Sequence, residues 1–205
     1  AKLTRSHVMV VGMGGVGSYA AEFICRSGIG KMTIIDGDVV DPTNRNRQLP
    51  ALAVNHGKPK ADIMAERLKH INPELELTVI KEFINPEMVE KLLAANPDYI
   101  IDAIDSITPK ITFMKMAYEK KLPLVSSMGA GAKLDPTQLK VTDISKTIIC
   151  PFAQQIRKVL KTHGIYKGIK VVFSPEEPIK ESLMMTDGRN YKNSAYGTIS
   201  YLPAT

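Results

Sequence analysis

Short apolar runs alternate along the chain with stretches whose apolar residues recur every three to four positions. His7–Val11 is an apolar run ending in glycine, as a parallel strand buried on both faces would. Gly15–Ser27 follows, with Val16, Tyr19, Ala20, Phe23 and Ile24 at helical spacing. The same alternation predicts strands at Lys31–Asp36, Glu76–Ile80, Tyr99–Asp102 and Leu124–Ser127. It predicts helices at Lys58–Asn72, where Ile63, Met64, Arg67 and Leu68 share a face, at Pro86–Ala95 and at Pro109–Lys121.

Such alternation implies an α/β fold, with a Rossmann-like, mostly parallel sheet and helices on both faces. After Gly129-Ala130-Gly131 the rhythm changes. Leu134–Ile144 carries a turn signal at Asp135-Pro136, then an alternation that suits antiparallel strands. Pro151–His163 reads as a basic amphipathic helix and Lys170–Ser174 as a further strand. The expectation is a single domain over residues 1–205, with a nucleotide-binding half (1–128) and a mixed α/β half (129–205).

Composition narrows the class. A chain of 205 residues can bury a sizeable core, and 44% hydrophobic with 23% charged residues is ordinary for a globular protein. No apolar run approaches the roughly 18 residues of a membrane span, so no membrane association is expected. The first apolar run leads straight into glycines, which argues against a secretory signal. Two cysteines, Cys25 and Cys150, are too few for a zinc quartet or a disulfide framework, which places the protein in the cytoplasm. A net charge of +6 suits a polyanionic partner, although many proteins without one share it. Ala1 in place of an initiator Met, and the end at Leu202-Pro203-Ala204-Thr205, imply residues missing at both termini. The polar stretch Thr186–Asn193 is a further candidate gap.

Gly12-Met13-Gly14-Gly15-Val16-Gly17 lies between a strand and a helix. Glycine there permits a tight turn and close approach to phosphate oxygens, which then face the helix amino terminus. Asp36 ends the second strand, where a carboxylate accepts hydrogen bonds from ribose hydroxyls; Asp38 competes for that role. Thr43-Asn44-Arg45-Asn46-Arg47-Gln48 and Gly57-Lys58-Pro59-Lys60 bring cations that a dehydrogenase has no use for. An adenylating enzyme uses them against charge building on the α-phosphate and departing pyrophosphate. Asp102 and Asp105 leave a buried strand at its carboxyl end, where one carboxylate could hold Mg²⁺ with ATP and the other cap the next helix; Asp102 suits the cap better.

In this order, GMGGVG, IIDGD, TNRNRQ, GKPKA and IIDAIDS resemble the ubiquitin-activating enzyme superfamily, which includes the molybdopterin- and thiamine-biosynthesis (ThiF family) adenylyltransferases. The resemblance implies an ATP site in which Gly12, Gly14, Gly15 and Gly17 form the phosphate turn. Asp36 would meet the ribose, Asn44 and Arg47 the phosphates, and Lys60 the α-phosphate. Asp105, followed by Ser106, would serve the metal and catalysis. Ser127-Met-Gly-Ala-Gly131, Asp135-Pro-Thr-Gln138, Val141–Thr147, Val171–Ser174 and Gly197–Ser200 look like the tRNA threonylcarbamoyladenosine dehydratase branch. That branch implies ATP-dependent adenylation of the threonyl carboxylate on a modified tRNA adenosine, ring closure within the same side chain, and release of AMP and pyrophosphate. It also implies a homodimer, with an amino-terminal arginine reaching across to the partner's ATP site, and leaves room for a sulfur-transfer protein partner.

Other readings compete. Activation of the carboxyl-terminal glycine of a ubiquitin-like sulfur carrier shares the chemistry, but its usual Cys-x-x-Cys pairs are absent here. An NAD oxidoreductase would satisfy the glycine turn and Asp36 alone. A non-enzymatic scaffold would not need the phosphate-handling residues. Cys25 and Cys150 are expected to be small packing residues. Arg157, Lys158, Lys161, Lys167 and Lys170 form either a tRNA-backbone patch or a solvated face.

Overall fold

Five consecutive buried side chains make His7–Val11 a central strand, β1. Val8 and Val10 face one apolar layer, Met9 and Val11 the other. In the computed structural model, which describes residues 2–179, 181, 183–185, 194–196 and 199–205, β1 lies within a seven-stranded sheet. The stretch Thr186–Asn193 falls outside the described residues. The other strands are β2 (Lys31–Ile35), β3 (Glu76–Ile80), β4 (Tyr99–Asp102), β5 (Leu124–Ser127), β6 (Lys140–Asp143) and β7 (Lys170–Phe173), in the order β3-β2-β1-β4-β5-β7-β6. Every pairing is parallel except β6 with β7.

The register sets Val11 beside both Ile35 and Asp102, so the carboxyl ends of β1, β2 and β4 lie level. From β1 the chain first builds outward through β2 and β3, then returns to add β4 on the other side. Connections therefore diverge between β1 and β4 and leave a crevice beyond their carboxyl ends.

Helices cover both faces. On one, α1 (Gly17–Arg26) and α2 (Lys60–Ile71) pack Ala21, Cys25, Met64 and Leu68 against Val8, Val10, Met32 and Ile34. On the other, α3 (Pro86–Ala94) and α4 (Ile107–Glu119) set Val89, Leu93, Phe113 and Ala117 on Met9, Val11, Ile35 and Ile100. α5 (Pro151–Thr162) continues the second layer, with Ile156 and Leu160 against Met114, Val171 and Phe173. A short antiparallel pair, β8 (Leu183–Met185) and β9 (Ser194–Tyr196), and the turn α6 (Tyr201–Ala204) end the described chain.

Three boundaries depart from the periodicity. α1 begins at Gly17, because Gly14–Val16 shape the turn before it. α2 begins at Lys60: Lys58 accepts a bond from the Val40 N–H in an irregular bridge, and Pro59 is extended (ψ 130). α4 begins two residues ahead of Pro109, whose missing N–H falls in a first turn where no intrahelical acceptor exists. Leu134–Ile144 yields one strand, β6, whose antiparallel partner is β7.

Candidate active site

Gly12 leaves β1 at φ +91, a left-handed backbone that side chains rarely adopt. A Cβ there would lie 2.8 Å from the Ala103 carbonyl oxygen. One at Gly17 would overlap the Gly12 carbonyl oxygen itself. The absence of both side chains lets α1 start in contact with the strand exit, its amino terminus facing the turn, although the Ser18 N–H is already bonded to the Gly14 carbonyl. The 43–48 loop closes on the turn from the other side. Cβ atoms built on Gly14 and Gly15 would stand 3.8 Å from Gln48 Nε2 and 3.5 Å from Arg47 Cγ; Pro203 of α6 also approaches Gly15, at 3.4 Å.

Asp36, just beyond β2, accepts the Met13 N–H at 2.6 Å and the Asp38 N–H at 2.7 Å, tying the glycine turn to the neighbouring strand. Burial raises its pKa, while the nearby Lys60 charge and these two bonds oppose the rise. Each carboxylate oxygen keeps lone-pair capacity for a ribose hydroxyl. Lys60 is buried at the first residue of α2, its Nζ 3.1 Å from Asp38 Oδ2 and its N–H bonded to the Asp38 carbonyl. The ammonium is thus desolvated and held at the crevice by Asp38.

Asn44 plays a more local part than a pure phosphate ligand. Its Oδ1 accepts the Asp41 N–H at 3.2 Å in a capping box that shapes the Pro42–Asn44 turn, which leaves its amide NH₂ for a ligand. Arg47, half-buried, donates through one Nη to the Thr43 carbonyl and to Asn46 Oδ1, both at 2.9 Å. Burial pulls its pKa down and the Asp105 charge opposes this, so Arg47 and Asp105 face one another electrostatically across the crevice.

Asp105 itself is exposed, with Ser106 at the N-cap of α4. Among the described residues no three His, Cys, Asp or Glu side chains gather as a metal cage. One exposed carboxylate beside a phosphate cradle instead fits Mg²⁺ that arrives with the nucleotide, since phosphate and water complete its shell. Asp102, expected as a helix cap, is fully buried and forms an ion pair with Lys110. The fold thus gathers Gly12, Gly14, Gly15, Gly17, Asp36, Asp38, Arg47, Lys60, Asp105 and Ser106 around one crevice.

In comparison with known proteins, residues 1–199 match the ThiF family. The chain belongs to the ThiF family. It is 48% identical over 177 residues to the tRNA threonylcarbamoyladenosine dehydratase of Bacillus subtilis (strain 168), covering 86% of this chain and 70% of that protein. The Escherichia coli (strain K12) protein of that name is 47% identical over 178 residues, covering 83% and 66%. The crystal structure of the E. coli enzyme, TcdA, in complex with ATP superposes with a TM-score of 0.89 at 41% identity, covering 98% of this chain and 81% of that one. A complex with AMP matches equally well. The E. coli molybdopterin-synthase adenylyltransferase, at 29% identity, matches only 65% of this chain.

Neither cysteine of this ThiF-family chain is placed as a nucleophile. Cys150 is buried among Ala153, Ile156 and Val171; Cys25 donates to the Leu68 carbonyl, and burial pushes its thiol pKa up. Cys150→Ser is expected to leave turnover unchanged and to lower the melting temperature, since a buried hydroxyl without an acceptor costs about 1–3 kcal/mol. A dead but folded variant in a steady-state assay would restore a thioester mechanism.

The basic patch lies apart from the crevice. Lys170 opens β7, which runs parallel to β5, and the end of α5 leads down to it, so Lys161, Lys167 and Lys170 lie toward the amino ends of the strands, opposite the crevice. Arg157 is committed to the Thr147 carbonyl and hydroxyl. Sequence reasoning missed Gln48, Lys110, Lys133 and the approach of α6. Lys110 was detectable through its shared face with Met114 and Ala117 at i+4 and i+7. Lys133, buried, donates to the Ser174 carbonyl at 2.6 Å and pins the loop after β5 to the end of β7; no local pattern signals it.

Proposed function

We infer that this protein uses ATP to dehydrate threonylcarbamoyladenosine in tRNA to its cyclic form through an acyl-adenylate. The observation that carries the reading is the pair of cations withdrawn from water, Lys60 held by Asp38 and Arg47 over Gly15, beside a glycine turn that leaves room for a phosphate chain. The names of the relatives supply the substrate.

In this reading Asp36 holds the ribose and the glycine turn the phosphates, with Asn44 adding its amide NH₂. The threonyl carboxylate attacks the α-phosphorus and the bond to pyrophosphate breaks. Lys60 offsets charge on the α-phosphate, and Arg47 offers a fork to the departing group. The acyl carbon is then attacked within the same side chain, so a ring closes and AMP departs with one former carboxylate oxygen. Mg²⁺, held by Asp105, would add positive charge to the phosphates. The halves 1–128 and 129–205 act here as one domain, since β5 and β7 pair directly. We further propose a cytoplasmic homodimer, with exposed Leu52 and Val54 in its contact surface, and a sulfur-transfer protein as an additional partner.

The test is ATP consumption by the full-length protein, with and without tRNA bearing threonylcarbamoyladenosine, resolving AMP from ADP and following nucleoside mass. AMP formation that depends on this tRNA, with loss of one water from the nucleoside, is the expected result. AMP formed with no change in the tRNA would overturn the dehydratase reading in favour of a ubiquitin-like carrier substrate.

A further inference from the structure

The turn between β4 and α4 is held by an ion pair removed from solvent. Asp102 and Lys110 are both fully buried, with Lys110 Nζ 2.8 Å from Asp102 Oδ2. Asp102 Oδ1 accepts the Ile104 N–H at 3.0 Å, and Lys110 Nζ donates to the Ile104 carbonyl at 3.0 Å. Both polar groups of residue 104 are thus fixed by the two members of one pair. Asp105 is the next residue, joined through the very peptide whose carbonyl Lys110 holds. Ser126 of β5 donates to Asp102 Oδ2 at 2.6 Å, and the Phe152 ring of α5 lies 5.8 Å from Lys110 Nζ. Neighbouring elements therefore close over the pair from both sides.

A buried ion pair is a poor means of stabilising a fold, because desolvation offsets most of the attraction and apolar replacements often do as well. What this pair does in the turn is bond both backbone polar groups of residue 104. An apolar residue at 110 could fill the space, but could not hold the Ile104 carbonyl. The same turn presents the Ala103 carbonyl against Gly12, so its placement also shapes the floor of the glycine turn.

We propose that Asp102 and Lys110 are positioning residues that fix the peptide carrying Asp105 and so aim its carboxylate at the metal and phosphates of the bound nucleotide. The proposal rests on the role assigned to Asp105 above. It assigns neither Asp102 nor Lys110 a contact with substrate.

Asp102→Asn/Lys110→Met removes both charges together and retains an acceptor for the Ile104 N–H. The expected outcome is cooperative thermal unfolding near that of the parent and ATP affinity within about threefold. Turnover should fall at least about tenfold, with a several-fold rise in the Mg²⁺ concentration giving half-maximal rate, in line with the loss of a positioned charge contact. Asp105→Asn closes a mutant cycle: in that background the paired substitution should lower turnover no further, because both act through one carboxylate. Additive losses, or a well-folded double variant with parental turnover and Mg²⁺ dependence, would overturn the positioning role. Parental turnover in Asp105→Asn alone would instead overturn the role of Asp105 itself. Should the double variant not fold, Asp102→Asn/Lys110→Gln, which leaves no uncompensated charge and keeps a neutral donor near the Ile104 carbonyl, is measured for the same two quantities against the same outcomes.

Discussion

Lys60→Ala is expected to lower turnover by about 10²–10³-fold in a protein that still folds, the usual loss when a group offsetting transition-state charge is removed. The ammonium is almost wholly buried and rests on Asp38, which is itself partly exposed. Removing it takes away the desolvated cation nearest the ribose-side carboxylates and leaves two negative charges facing an incoming triphosphate. Arg47→Ala should cause a loss of similar size, because the guanidinium is the half-buried cation on the opposite flank. Single-turnover AMP formation at saturating ATP checks both, with circular dichroism as the control for folding. Near-parental rates in both variants would remove the phosphate roles assigned to them.

Gly12→Ala is expected to reduce ATP affinity by more than about 100-fold, because strained backbone and steric overlap act at one position. The added methyl would meet the Ala103 carbonyl, and the Ala103 N–H is bonded to the Val11 carbonyl, so the neighbour cannot withdraw. Gly28 is the matched control: its φ of +82 carries the same backbone penalty, but nothing lies within 4 Å of a Cβ there. Gly28→Ala should cost about 1 kcal/mol or slightly more of stability and leave ATP binding unchanged. Equal ATP affinity in the two variants, by calorimetric titration, would mean that the close packing of Gly12 against Ala103 does not shape the nucleotide site.

The α/β architecture was legible because each strand and helix announces itself within a dozen residues, and the glycine turn and Asp36 fall at strand ends in that rhythm; Arg47 and Lys60 stood out through the resemblance of their motifs. What escaped depended on contacts between distant segments. A lysine at position 110 reads as the polar side of a helix until β5 and the end of β4 are packed beneath it. The bond from the Asp41 N–H to Asn44 Oδ1, which leaves only the amide NH₂ for a ligand, is also invisible in the motif. The basic run from Arg157 to Lys170 reads as one stretch, but Arg157 turns to Thr147 while Lys170 stands at the amino end of β7, away from the carboxyl ends that line the crevice. The partnership of Lys60 with Asp38 likewise depends on the irregular segment between them, which has no periodicity to read.

The pairing of β1 with β4 carries a consequence for how the protein comes to be folded. His7 donates its backbone N–H to the Asp98 carboxylate at the head of β4, across 91 positions of chain. Closing so long a loop is entropically costly, and contacts of this span slow folding relative to local ones. Until it closes, Gly12 has no Ala103 above it and Arg47 no Asp105 opposite, so an incomplete chain has the motifs but no crevice. Nucleotide can therefore bind only to a state in which the far-separated strands have met. The free energy of binding is then added to the stability of the whole sheet and grows with nucleotide concentration.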